Sequence, residues 1–120
     1  MPRSWQNFSH KTSLKRVGAR DYLVHVAGAV DLSGLQLELS AVGTKPKVSL
    51  EGLTAGHNWQ AATATDHGTL RITAFSSGAT GVSGDGMVLR ITGGGHPRIK
   101  AVVASDSEGR EIPVKTGASR

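Results

Sequence analysis

Two runs of strict alternation set the limits on what this chain can become. In Gly68–Thr92 (GTLRITAFSSGATGVSGDGMVLRIT), Leu70, Ile72 and Ala74 alternate with Arg71, Thr73 and Phe75. Further on, Met87, Leu89 and Ile91 alternate with Val88, Arg90 and Thr92. A period of two puts one set of side chains on a buried face and the other towards water, which a helix cannot do. Between the runs, Ser76 to Gly86 is rich in Gly, Ser and Thr and reads as a loop.

The same grammar recurs along the chain. Asp21–Ala29 reads as a first strand with Tyr22, Val24 and Val26 on one face, and Gly28 marking a bend or bulge. Asp31–Ala41 reads as a second strand, Leu35, Leu37 and Leu39 inward and Gln36 and Glu38 outward. KVSLEGL, NWQAATAT (Asn58–Thr65), RIKAVVA (Arg98–Ala104, with Ile99, Ala101 and Val103 on one face) and the run from Arg110 to Val114 follow. Turn signals between them are Gly43 to Pro46, Thr54 to His57, Asp66 to Gly68, Gly93 to Pro97 and Ser105 to Gly109. About eight short strands at this spacing predict an all-β protein, a two-sheet antiparallel β-sandwich. At 120 residues one domain is expected, with a core of Val, Leu, Ile and Ala because aromatics are scarce.

Charge divides the chain. Residues 1–20 hold Arg3, Lys11, Lys15, Arg16 and Arg20 and no acid. Residues 21–120 hold the other nine basic residues of 14, against all nine acids. The expected organisation is a basic N-terminal arm or linker over residues 1–20, a sandwich over 21–114 and a tail over 115–120. Nucleic acid is expected as a partner only through residues 1–20. No apolar run reaches the ~20 residues that span a bilayer, so no membrane insertion is expected. The N-terminal segment MPRSWQNFSHK lacks the apolar core of a signal peptide.

No residue set for catalysis emerges. His10, His25, His57, His67 and His96 are scattered without metal-ligand spacing, and cysteine is absent. Asp85 in SGDG and Asp106 in SDSEG lack the ligand series of a calcium loop. GGGHP has no following helix or lysine to hold phosphate, and GxSxG is absent. No enzyme, no cofactor and no metal is the expectation. Trp59 reads as core, with a sugar platform at Trp59 or Tyr22 as the sharper alternative.

Four segments together resemble the bacterial cohesin-type domain. They are Gly34-Leu35-Gln36-Leu37, Gly68-Thr69-Leu70-Arg71-Ile72, Gly81-Val82-Ser83-Gly84-Asp85-Gly86 and Asp106-Ser107-Glu108-Gly109. The resemblance spans roughly residues 21–114. The chain is shorter than typical members, and Ser40-Ala41-Val42 stands where they carry an aspartate, a departure that bears on partner choice rather than on fold. The resemblance implies a jelly-roll sandwich related in fold to carbohydrate-binding modules, with a non-catalytic role in secreted or cell-surface proteins. It further implies that one sheet face binds another protein, a dockerin-like module. Arg71, Thr73, Arg90 and Thr92 are the expected contact residues. The alternatives are a carbohydrate-binding module taking polysaccharide, or a structural subunit of a virion or other assembly that contacts a neighbouring subunit through the basic arm.

Overall fold

The computed structural model describes residues 10–43, 45–56, 58–78, 81–93 and 95–116. Nine strands run in chain order: β1 (His10–Gly18), β2 (Asp21–Val42), β3 (Lys47–Leu50), β4 (Trp59–Asp66), β5 (Thr69–Ser76), β6 (Val82–Thr92), β7 (Gly95–Asp106), β8 (Glu111–Ile112) and β9 (Val114–Thr116). No helix occurs among the described residues.

β2 belongs to both layers. Its first half pairs antiparallel with β1 and β6, and its second half with β5 and β7. The first sheet is therefore β3-β6-β2-β1-β9, and the second is β4-β5-β2-β7-β8. One ladder departs from the antiparallel rule: β9 runs parallel to β1, with Lys115 opposite Lys11. The two sheets close on Tyr22, Val24 and Val26 from one half of β2 and Leu35, Leu37 and Leu39 from the other. Leu14, Leu70, Ile72, Val88, Leu89 and Ile91 complete this core. Each fully buried aliphatic side chain contributes about 1.5–3 kcal/mol relative to exposure.

Several sequence expectations are redrawn by these pairings. The segments 21–29 and 31–41 are one strand, because its hydrogen-bond ladder continues through the bend. The sandwich starts no later than His10: Thr12 and Leu14 are buried in the first sheet, so residues 10–18 are core-forming and not an arm. Trp5 and Phe8 lie outside the described residues. The sandwich also extends through β9 to Thr116. β6 begins at Val82, so GVSGDG is the start of a strand and not a loop. In β7 the register shifts between Glu38 and Leu39, which face Ala101 and Ile99. Lys100 is the extra residue, and the side chains after it switch faces. Ile99 is half-buried, whereas Ala101 and Val103 are exposed.

The bend in β2 is held from three directions. Asp31 adopts a left-handed conformation, φ 54°, which costs a non-glycine residue energy unless side-chain hydrogen bonds support it. The Asp31 carboxylate accepts from the Gly81 N–H at 2.7 Å and from the N–H and Oγ–H of Ser107. The Asp31 N–H donates to Ser83 Oγ at 2.9 Å, and the Gly28 N–H to Asp85 Oδ1 at 2.8 Å. Gly81 is required by proximity. A Cβ there would lie 2.4 Å from the Asp31 carbonyl carbon and 2.5 Å from the Leu32 oxygen.

The hydrogen bonds from Ser107 and Gly81 hold the Asp31 carboxyl below the usual aspartate range. A depressed folded-state pKa stabilises above the unfolded value, and that contribution is lost as pH falls through the folded one. Urea unfolding midpoints should therefore drop below about pH 4, less steeply in Asp31→Asn, and Asp31→Ala should melt lower than Asp31→Asn. Gly81→Ala should cost about 1–3 kcal/mol, and Leu39→Ala about 2–5 kcal/mol, in the same assay.

Candidate functional site: the outer face of the second sheet

Alternation in β5, β2 and β7 sends one set of side chains away from the core. Register aligns them in rows: Gln36 lies between Thr73 and Val103, and Glu38 between Arg71 and Ala101. Ala62 and Ala64 of β4 extend the same rows beyond Thr73 and Arg71. The result is a sheet face of small side chains. Phe75 is 41% exposed and Val103 44%, both large apolar groups open to solvent.

Two depressions lie along this face. One, of about 380 Å³, is lined by Gly34, Gln36, Thr73, Phe75, Val103 and Ser105 among others. The second, of about 290 Å³, is lined by Gln36, Glu38, Arg71, Thr73, Ala101 and Val103 among others. They share Gln36, Thr73 and Val103, so they form one shallow trough over β2. Gly34 and the alanines keep its floor low.

A short charge string lies at one end of the trough. Glu38 accepts from Arg71 Nε at 3.2 Å and lies 3.4 Å from Lys100 Nζ. The Arg71 guanidinium, then Lys100, hold the Glu38 carboxyl below its ordinary range. The carboxylate stays ionised near neutral pH and both cations are partly neutralised. What remains is an apolar patch with hydrogen-bonding amide and hydroxyl groups at Gln36 and Thr73. That is the composition of a protein contact surface, with charge depleted at its centre.

The four residues expected to share a face do not. Arg71 and Thr73 line the trough, whereas Arg90 and Thr92 lie on the first sheet, pointing out of the opposite side of the sandwich. Arg90 is ion-paired with Asp21 there. The reason is the bend: β5 pairs with the second half of β2 and β6 with the first, so two strands adjacent in sequence end in different layers. Trp59 and Tyr22 are 6% and 4% exposed, so neither ring offers a face to a sugar. Trp59 sits at the start of β4 and packs into the core. His67, in the β4–β5 turn, and His96 are exposed and His25 is half-buried; His57 lies outside the described residues. Among the described residues no cluster of three or more His, Asp or Glu side chains could hold a metal ion.

Sequence reasoning placed Gln36 and Glu38 outward without assigning them a role, and missed Phe75, Ala101 and Val103. Phe75 carried a usable signal, a large apolar residue at an outward position of an alternating strand. Val103 did not, because the bulge at Lys100 reverses the face it would otherwise take.

No protein-family model matches the sequence, and no curated protein sequence matches it. Solved structures do match. One is a non-cellulosomal cohesin from the archaeon Archaeoglobus fulgidus, with a TM-score of 0.63 at 14% identity, covering 92% of this chain and 88% of that one. A second is a type I cohesin–dockerin complex from Clostridium thermocellum, with a TM-score of 0.69 at 10% identity, covering 92% of this chain and 90% of that one. This is a cohesin-type fold. A third match is the sixth cohesin of scaffoldin B of Acetivibrio cellulolyticus, in complex with a dockerin. It has a TM-score of 0.69 at 13% identity and covers 92% of this chain and 96% of that one. Each of these three likenesses covers 92% of this chain.

If the trough is a surface made for contact and not for stability, its residues are replaceable in the free protein. Phe75→Ser and Val103→Ser should change the unfolding free energy by no more than about 0.5 kcal/mol, measured by urea denaturation.

Proposed function

We propose that this chain is a non-catalytic, protein-binding scaffold module of cohesin type, and that it engages its partner through the trough over β5, β2 and β7. One observation carries the reading: the only large exposed apolar side chains of the described second sheet, Phe75 and Val103, flank a low floor beside Gln36 and Thr73. The fold supports it, since two of the matching structures are cohesins in complex with dockerins. A dockerin-like module is the partner we infer. A secreted or cell-surface multidomain protein is the setting that such a module implies. Arg71 and Thr73 serve this face; Arg90 and Thr92 do not.

The energetic logic is that of a small interface centre. Apolar contact at Phe75 and Val103 supplies the burial. Gln36 and Thr73 supply hydrogen bonds that fix register, and the Arg71–Glu38–Lys100 string sets orientation at the rim.

The test is binding to a panel of dockerins by isothermal titration calorimetry. The wild-type chain is expected to bind at least one member. Thr73→Arg and Gln36→Arg should weaken that complex at least tenfold, about 1.4 kcal/mol or more. Arg90→Glu, on the opposite face, should leave it unchanged. Full affinity in both trough variants, or equal loss in Arg90→Glu, removes the trough as the contact.

A further inference from the structure

The outer face of the first sheet has a different character. Its outward positions carry Lys11 and Lys15 of β1, Lys47 of β3, Arg90 of β6 and Lys115 of β9, all exposed. The acids beside them are Asp21, which is ion-paired with Arg90, Glu51, whose charge acts on the same guanidinium, and Asp85, which accepts from the Gly28 N–H one strand across from Lys11. None of the four lysines has an ion-pair partner among the described residues. On the second sheet, Arg71 and Lys100 share Glu38, and Arg110 of the following turn is bound by Asp106 and Glu108. The surplus positive charge of the sandwich is thus concentrated on one face.

The placement of these lysines points to a ligand's shape. Lys11 and Lys115 stand directly opposite each other on neighbouring strands, about 5 Å apart along the hydrogen-bond direction. Like charges placed so repel, and an anion between them relieves the repulsion. Lys15 lies four residues further along β1, about 13 Å away, and Lys47 is three strands across. The cations spread over the sheet and do not converge on a point, which suits an extended chain of negative charges and not a single small ion.

The face also discriminates between polyanions. Its cations are lysines apart from Arg90, which Asp21 occupies. Lysine acts as a point charge and lacks the planar fork that reads bases and phosphates in pairs. The nearby aromatic ring, Tyr22, is buried, so no platform for nucleobase stacking is offered. Protein interfaces deplete lysine and gather aromatic residues at their centre, the reverse of what is found here. We propose that this face binds a linear acidic polysaccharide, holding its carboxylate or sulfate groups along the line of Lys11, Lys115 and Lys15. The module would then carry two ligands on opposite faces, a protein on the second sheet and an anionic glycan on the first.

The experiment uses the full chain, with polygalacturonate and heparin as glycan probes and duplex DNA and anionic phosphatidylglycerol vesicles as comparators. The wild-type chain should be retarded by both glycans in affinity electrophoresis. Its binding constant should fall with salt at a log–log slope of about 3, as one counterion leaves per engaged lysine. The triple variant K11E/K15E/K115E should bind at least tenfold more weakly, and the milder K11Q/K15Q/K115Q should show the same direction with an unchanged thermal melt. Arg98→Glu reverses a charge of the second sheet and should bind as wild type. No glycan binding, equal loss in Arg98→Glu, or tighter binding to DNA or to vesicles than to both glycans overturns the proposal. Dockerin binding is measured on the same variants; its retention separates failure of this face from failure of the trough.

Discussion

The aspartate at the bend of β2 is the contact on which the two-layer arrangement rests. A 22-residue strand that stayed straight would serve one sheet and leave the other without its centre. Asp31 lets the chain turn through a left-handed step and draws Gly81 and Ser107 to its carboxylate, while its own N–H reaches Ser83. At Leu32 the strand pairs with Val82 of β6 and with Asp106 of β7. The three segments that meet there thus come from both sheets. The bend joins the layers covalently, and the hydrogen bonds keep them from sliding.

That geometry separates the two outer faces chemically. β5 and β7 flank the second half of β2 and contribute small residues, exposed Phe75 and Val103, and the cations Arg71 and Lys100, which share Glu38. β1, β3 and β9 of the first sheet contribute lysines without ion-pair partners among the described residues. The sandwich therefore presents a near-neutral surface on one side and a basic surface on the other, with an apolar core between them. The Glu38 carboxylate and the Asp31 carboxylate differ in role for the same reason. One holds two cations on an outer face, and the other organises backbone at a joint.

The fold class was legible because alternation is a local property. Tyr22, Val24 and Val26, and again Leu35, Leu37 and Leu39, announce buried faces whatever they pack against. The turn segments GVSGDG and SDSEG were legible as special, but their work was not. Ser83, Asp85 and Ser107 act on residues 52, 57 and 76 positions away in the chain. The residues of the trough were half legible: Arg71 and Thr73 by their outward positions, Gln36 and Glu38 by the same rule. Arg90 and Thr92 hold equally outward positions on their own strand, and nothing local shows that this strand lies in the other sheet. Burial of Trp59 and Tyr22 settled the competition between core and platform in favour of core.

By itself the amino-acid order determined that the protein is built of short amphipathic strands, which side chains seek the interior, and where the backbone must turn. Those outcomes depend on near neighbours and on the two-residue repeat of a strand. Only the tertiary structure decided which strands lie side by side, that residues 10–18 belong to the core, and that Arg71 and Arg90 look out of opposite sides. Strand pairing is set by contacts between distant segments, and one bulge or one bend reverses the face of every side chain beyond it.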